Sequence, residues 1–78
     1  MWKFEEKRII ALRESLGLTQ TEFGAKIRTD TGQVMTKQQV GAWEKRTIIP
    51  NTSTLVKISN IFGIVPAYWY VWIDDYEV

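Results

Sequence analysis

The amino-acid sequence predicts an all-α fold: one domain over residues 1–78, built as a compact bundle of four to five short helices. Apolar residues recur at three- and four-residue spacing in successive segments, which is the pattern of amphipathic helices. Helix-capping residues stand at the start of these segments, and strand-like alternation is scarce before residue 70. A length of 78 residues supports one modest hydrophobic core, which we expect within residues 4–65.

The first two helices are predicted from an apolar stripe and an end signal in each. "KFEEKRIIALRESLG" predicts a helix that Gly17 caps, and "LTQTEFGAKI" predicts a second in which Thr19 and Glu22 have capping-box spacing. The stripes consist of Ile9, Leu12 and Leu16 in the first helix and of Phe23 and Ile27 in the second. "RTDTGQV", residues 28–34, is rich in turn formers and predicts a loop, with one extra helical turn before it as an alternative.

Helices three and four begin with similar capping chemistry. "MTKQQVGAWEKR" predicts a helix over about residues 36–45, with Thr36 as the N-cap and Gln39 three residues later, where its side chain can bond the N-cap backbone. Asn51 is the cap of the fourth helix, and Gly63 ends it. The predicted core face of that helix consists of Leu55, Ile58, Ile61 and Phe62.

The last segment, residues 66–78, is aromatic and acidic. Pro66 can begin a fifth helix, "PAYWYVWI". The residues "DDYEV" are compatible both with a helix end and with a short strand. Five of the ten aromatic residues lie here, more than one face of a short helix can bury: Tyr68, Trp69, Tyr70, Trp72 and Tyr76. These five are candidates for a dimer interface. The alternative is that Trp69 and a few neighbours complete the core and the others form a partly exposed tail.

Composition excludes several classes of function. The chain has no cysteine and no histidine, so a disulfide, a thiolate metal site and the commonest general base are all absent. We expect no cofactor, no metal and no enzymatic activity, because no set of residues offers a nucleophile, a base and a stabilising group together. No apolar run approaches the length of a membrane span, so we expect a cytoplasmic protein with no membrane partner.

Charge is distributed unevenly along the chain. Residues 1–65 hold ten basic and six acidic side chains, a net charge of +4, whereas residues 66–78 hold three acidic side chains and no basic one. This asymmetry is compatible with an anionic partner for the body of the domain and with a different partner for the C-terminal segment.

The third helix has an outward face that can read DNA bases. A helix turns about 100° per residue, so if Val40 faces the core, Trp43 falls near the same side, and Gln38 and Ala42 fall nearly opposite. Gln38 then projects with its amide free, and a free glutamine amide can pair with N6 and N7 of adenine. Spacing alone leaves open the alternative of an ordinary capped surface helix.

The residues quoted above, taken together, resemble a known family. From "IIALRESLGLTQTEFGAKI" through "MTKQQVGAWEK" to "PNTSTLVKISNIFGI", residues 9–65 resemble the helix-turn-helix domain of the Cro and lambda-type phage repressors and their bacterial, XRE-type relatives. The resemblance implies a regulator or repressor that binds a palindromic double-stranded DNA operator as a homodimer, with helix three in the major groove, in a bacterial cell or a phage-infected host.

The resemblance implies, position by position, the base-contact candidates, the phosphate contact of Gln20 and the pair of Arg13 and Glu44. The other candidates for backbone contacts are polar or basic residues at the ends of helix three or in the long turn before it. The candidates for base contacts are Lys37, Gln38, Gly41 and Ala42. The candidates for contacts to the DNA backbone are Gln20, Arg28, Thr36, Lys45 and Arg46. Arg13 and Glu44 match a pair that ties helix one to helix three, and this pair is structural.

Three features depart from the family pattern. Residues 28–34 make the turn between helices two and three longer than usual, and Arg46 stands where a glycine is expected, so it must accept a left-handed conformation or alter the helix end. "TII", residues 47–49, replaces the usual basic residues. The missing basic residues and the modest net charge of +1 favour a second hypothesis: an antitoxin or accessory module in which the aromatic segment binds a protein partner.

Overall fold

Four α-helices and a two-stranded antiparallel sheet form the part of the chain that the computed structural model describes, residues 1–74. The elements in order are β1 (Trp2–Phe4), α1 (Lys7–Ser15), α2 (Gln20–Ala25), α3 (Lys37–Glu44), α4 (Thr52–Phe62), a 3-10 turn (Pro66–Trp69) and β2 (Tyr70–Trp72). The predicted all-α class is confirmed, since the four helices form the domain and the sheet is short.

Local capping chemistry determines where the helices begin, as predicted. Thr19 and Glu22 form a reciprocal capping box at α2, and the Asn51 side chain accepts the backbone N–H of Thr54 at 2.8 Å at the start of α4. Gly63, with φ +70°, ends α4 in the left-handed conformation that a glycine adopts at little cost.

The core lies among all four helices and the 3-10 turn. Its buried apolar side chains are Phe4, Ile9, Phe23, Ile27, Val40, Trp43, Leu55, Ile58 and Trp69. The rings of Phe23 and Phe62 stack at a centroid distance of 5.2 Å, which fixes α2 against α4. The prediction for Ile61 was wrong, because its side chain is 41% exposed and Ser59 is buried in the core instead.

Ser59 is buried because it has two hydrogen-bond partners. Its hydroxyl accepts the indole N–H of Trp69 at 2.8 Å and donates to the carbonyl oxygen of Leu55 at 2.8 Å. Both polar groups are thereby satisfied inside an apolar core, so the aromatic C-terminal turn is attached to α4 by a specific bond as well as by packing.

The N-terminal strand corrects the predicted start of helix one. That helix was expected from Lys3, but Trp2–Phe4 pair with Tyr70–Trp72 and α1 begins only at Lys7. Met1 and Ile73 exchange two backbone hydrogen bonds, of 2.7 and 2.8 Å, which extend the ladder by one pair. The predicted fifth helix is likewise a four-residue 3-10 turn followed by β2.

The loop between α2 and α3 folds back on itself, with no extra helical turn. Arg28 and Val34 form an isolated antiparallel bridge, and Gly32, with φ +85°, takes the turn between them. Asp30 at its tip forms an ion pair of 2.9 Å with Lys57 of α4. The hydrogen bond that the Lys57 ammonium group donates in this pair holds the pKa of Asp30 below its ordinary value. The long turn is therefore a small hairpin, held to the body of the domain.

Candidate nucleic-acid interface

The start of α3 is fixed by its own side chains. The Thr36 hydroxyl accepts the backbone N–H of Gln39 at 3.2 Å, and the side-chain oxygen Oε1 of Gln39 accepts the backbone N–H of Thr36 at 2.8 Å. The predicted capping role of Gln39 is confirmed. Because the Thr36 hydroxyl also donates to Gln39, at 3.2 Å, it is already engaged where the resemblance implied a contact to the DNA backbone.

The body of α3 divides into a buried side and an exposed side, as its register predicted. Val40 is fully buried and Trp43 is 5% exposed, whereas Lys37 and Gln38 are exposed. Among residues 1–74, neither the Lys37 nor the Gln38 side chain forms a hydrogen bond or an ion pair. Their polar groups are therefore available to an outside partner.

A shallow groove joins the candidate base contacts to residues of α2 and of the loop after α3. It is lined by Gln20, Lys37, Gln38, Gly41, Ala42, Lys45 and Thr47. The lining contains two ammonium groups and two side-chain amides and no carboxylate, so it suits an anionic partner with hydrogen-bonding edges. Thr47 was not among the contact residues predicted from the sequence, since nothing in its immediate neighbours distinguishes it from an ordinary loop threonine.

Beneath this groove, Glu44 holds three donors from two other parts of the fold. Its oxygens accept Nε of Arg13 at 2.7 Å, Nη2 of Arg13 at 3.1 Å and Nε2 of Gln20 at 3.1 Å. Arg13 also donates to the carbonyl oxygen of Leu18 at 3.0 Å, which ties in the turn before α2. The hydrogen bond with Glu44 raises the pKa of Arg13, so the guanidinium stays charged.

The same contacts determine how Gln20 meets the groove. One N–H of its amide is occupied by Glu44, and the amide lies beside Gly41, where an added Cβ would come within 3.7 Å of Nε2. A side chain at position 41 would narrow the groove over this amide. Arg13, Gln20 and Glu44 thus form a rigid base for the exposed face of α3, with Gln20 at its edge.

The C-terminal end of α3 resolves the question raised by Arg46. Lys45 closes the helix with φ −90°, and Arg46 follows with φ +59°, in the left-handed region. The backbone N–H of Arg46 bonds the carbonyl oxygen of Trp43 at 3.1 Å and that of Thr47 bonds Ala42 at 2.9 Å, so the helix keeps the end that a glycine would give. Arg46 carries the backbone strain, and its side chain is exposed.

Arg28 lies apart from the groove. Its guanidinium donates to the carbonyl oxygen of Gly32 at 2.8 Å, within the hairpin of residues 28–34. Of the five candidates for backbone contacts, the structure brings Gln20 and Lys45 together at the groove, whereas Arg46, the residue after Lys45, lines a neighbouring hollow. Thr36 and Arg28 already have intramolecular partners.

The aromatic candidates separate into buried and exposed residues. Trp69 is fully buried in the core, so its assignment to a dimer interface was wrong. Tyr68 is half-buried, with the Arg8 guanidinium 5.0 Å from its ring centre, and Tyr70 is half-buried as well. Tyr76 lies outside the described residues.

Trp72 is 63% exposed and meets Trp2, which is 67% exposed, edge to face at a centroid distance of 5.5 Å. Trp2 was not among the candidates. A tryptophan followed by alternating residues in "MWKF" is the only sequence signal for its strand, and four residues are too few to support it.

Comparison with known proteins identifies this arrangement of helices and site residues. Residues 9–70 match a protein-family model described as Helix-turn-helix. The searches of curated proteins and of solved structures returned no match. Within residues 1–74, no helix combines the length and the apolar character needed to cross a membrane.

Proposed function

The chain belongs to the XRE-type helix-turn-helix family of the Cro and lambda-type repressors, a family of DNA-binding regulators, and we propose that it occupies a palindromic operator as a dimer. In this proposal α3 enters the major groove of each half-site, and the bound protein regulates transcription by steric exclusion. It acts where its operator is accessible, in the cytoplasm of a bacterial cell or an infected host.

One observation carries the proposal: within residues 1–74 the exposed side chains of Lys37 and Gln38 have no internal partner, while the opposite side of α3 is fixed in the core. Val40 and Trp43 anchor the helix in the core, and the cap at Gln39 fixes its start. The side chains of Lys37 and Gln38 are then presented at one angle, and positioning of this kind is what base recognition requires.

Each exposed residue has a distinct role in the proposed complex. Gln38 pairs with N6 and N7 of an adenine, and Lys37 reaches O6 and N7 of a guanine or a phosphate. The Ala42 methyl contacts a thymine methyl, and Gly41 lets the DNA approach the helix backbone closely. Contacts to the phosphates come from Gln20, Lys45 and Arg46, and we add Thr47 to this set. Arg28 bonds Gly32 through Nη1 and keeps further guanidinium N–H donors for a phosphate, whereas the Thr36 hydroxyl contributes only if DNA displaces its bond to Gln39.

Selection from random duplex DNA tests the function as a whole. We expect recovery of a palindrome whose half-sites lie about one helical turn apart. Gln38→Ala should weaken binding by about 1 to 3 kcal/mol and relax selection at one base pair of each half-site. Unchanged preference and affinity for Gln38→Ala would refute its assigned role.

The neighbouring glutamine supplies the matched control. Gln39→Ala removes a cap bond, at a cost of about 0.5 to 1 kcal/mol in stability, and removes no proposed base contact. Its selected sequence should equal that of the wild type. A shift in preference at Gln39→Ala with none at Gln38→Ala would reverse the roles of the two residues.

A second candidate function has one observation in its favour, the exposed indoles of Trp2 and Trp72. Under this alternative the protein is an antitoxin or accessory factor whose aromatic surface binds a different protein. Recovery of a stoichiometric foreign partner, together with an absence of salt-dependent DNA binding, would decide in its favour.

A further inference from the structure

The sheet of β1 and β2 extends an apolar face beyond the core that it covers. Trp2 and Phe4 lie on one face of β1, opposite Trp72 and Tyr70 on β2, because alternate residues of paired strands share a face. Phe4 is 4% exposed, whereas Trp2 is 67% exposed. The face that packs on the core therefore continues past it, and the tryptophan pair projects at its far end.

Apolar residues of other elements adjoin this overhang. Met1 is 59% exposed, Ile73 is 36% exposed, and Ile49 of the loop after α3 is 51% exposed. A shallow hollow brings these three residues together with Trp2, Phe4 and Tyr70, and two cationic side chains, Lys3 and Arg46, complete its lining. We call Met1, Trp2, Ile49, Trp72 and Ile73 the indole face.

We propose that the indole face is the surface on which a second copy of this chain docks. The choice of a second copy rests on the proposed two-half-site operator, which requires two copies held together. None of the residues that line the groove lines the hollow, so docking there leaves the groove of both copies open. Arg46, a proposed phosphate contact, does line the hollow, so it has to reach DNA from the edge of the interface.

The area of the face agrees with a dimer. A standard protein interface takes about 800 Å² from each partner, roughly 15% of the 5293 Å² exposed by this chain. The two indoles together expose roughly 300 Å², and the three aliphatic residues bring the face to more than about 500 Å². The face thus supplies the apolar centre of such an interface, with polar residues left for its rim.

The free edge of β1 adds a second reason. Met1 and Ile73 form a hydrogen-bonded pair, so the backbone N–H and C=O of Trp2 point to the outer edge of the strand. A second copy of the same strand can pair there antiparallel, which is the arrangement compatible with a two-fold axis. Edge pairing and indole packing then occur at one place.

Mass in solution tests the inference directly. We expect twice the chain mass of 9.1 kDa for the wild type at micromolar concentration without DNA. The double variant Trp2→Thr, Trp72→Thr should raise the dissociation constant at least about 100-fold while keeping the helical circular dichroism. Val56→Thr is the control, because Val56 is 37% exposed on α4 and lies outside the face; it should remain dimeric.

Tryptophan fluorescence of the wild type gives a readout that needs no variant. Trp43 and Trp69 are buried within one chain, so a red shift of emission on dilution reports Trp2 and Trp72. We expect the shift over the concentrations at which the mass halves. Any of three results would overturn the inference: the wild type is monomeric, the folded double variant stays dimeric, or the mass halves with no change in emission. Binding of a foreign protein would not rescue it.

Binding to a single half-site separates this inference from the proposed function. If the double variant is monomeric and still selects the same half-site bases, both hold. If the wild type is monomeric and selects bases, the dimer face is refuted and the DNA function stands. If the wild type dimerises through the face and shows no base preference, the proposed function is refuted alone.

Discussion

Arg46 holds a left-handed backbone conformation that glycine would adopt without strain. Its φ is +59°, and its N–H closes the end of α3 on the carbonyl oxygen of Trp43. A non-glycine residue in this region is strained because its Cβ crowds the backbone, by about 1 to 2 kcal/mol. Arg46→Gly removes that strain and leaves the helix end in place.

The expected gain is smaller than the strain, because glycine also loosens the unfolded chain. That entropic term opposes folding by about 0.5 to 1 kcal/mol. The difference predicts that Arg46→Gly stabilises the domain by about 0.5 to 1 kcal/mol, and for a domain of this size the melting temperature should rise by about 2 to 8 °C.

Urea unfolding followed by circular dichroism measures the change. Lys45→Gly is the matched control, because Lys45 has φ −90° and gains nothing from glycine; it should lose about 0.5 to 1 kcal/mol. Arg46→Ala removes the side chain and keeps the strain, so it should be close to the wild type. An Arg46→Gly protein no more stable than Arg46→Ala would refute the reasoning.

The same variant should bind DNA less tightly. If Arg46 meets a phosphate in each half-site, its removal reduces the slope of log K against log salt by about 0.9 for each copy of the chain. Arg46→Gly would then be a more stable protein and a weaker binder. An unchanged salt dependence would remove Arg46 from the set of backbone contacts and leave the stability prediction untouched.

Three further substitutions test the contacts that shape the domain. Ser59→Ala should cost about 1 to 3 kcal/mol in urea unfolding, because it leaves the buried indole N–H of Trp69 without its acceptor. Gly24→Ala should cost about 1 to 3 kcal/mol, because the new Cβ would fall on the carbonyl oxygen of Met35. Glu22→Gln should change the pH dependence of stability. Two hydrogen bonds with Thr19, the stronger from its backbone N–H, lower the pKa of Glu22, so the carboxylate's contribution is complete above about pH 5 and is lost as the pH falls through the lowered pKa.

Each of these substitutions has a counterpart that should behave differently. Ser53→Ala on the exposed side of α4 should stay within about 0.5 kcal/mol of the wild type. Gly41→Ala meets only ordinary contacts at 3.7 Å and should stabilise α3 slightly. Thr19→Ser keeps the hydroxyl and the backbone N–H that bond Glu22, so it should keep the acid dependence of the wild type. Equal losses of stability in Ser59→Ala and Ser53→Ala would contradict the bond between Ser59 and Trp69, and a Gly24→Ala protein as stable as the wild type would contradict the close approach of Met35. A stability difference between Glu22→Gln and the wild type that is the same at about pH 3 as at neutral pH would contradict the bonds between Glu22 and Thr19.

The parts of this fold that sequence predicts are those decided within a few residues. Capping by Thr19, Gln39 and Asn51 depends on neighbours three positions away, and the structure contains all three caps. The register of α3 follows from 100° per residue once Val40 is buried. The exposed position of Gln38 in the groove could therefore be predicted from the neighbouring residues of the sequence.

The parts that could not be predicted depend on distant partners. β1 is a strand only because residues 70–72 lie beside it, and nothing in "MWKF" encodes a partner so far along the chain. A serine is stable at position 59 of the core because the indole N–H of Trp69, ten residues away, donates to its hydroxyl. Residues 28–34 form a hairpin whose backbone bond from Thr29 N–H to the carbonyl oxygen of Gln33 spans the turn, and its tip meets Lys57 of α4, 27 residues from Asp30.

The separation of α3 into two sides has a consequence for how this protein can change. Lys37, Gln38 and Ala42 line the groove, while the helix is held by Gln39 at its start and Val40 beneath it. Substitutions at the first three positions need not pass through poorly folded intermediates. If these side chains read DNA bases, as proposed, a lineage can acquire a new operator by single substitutions at these sites, and a designer can randomise them on an unchanged scaffold.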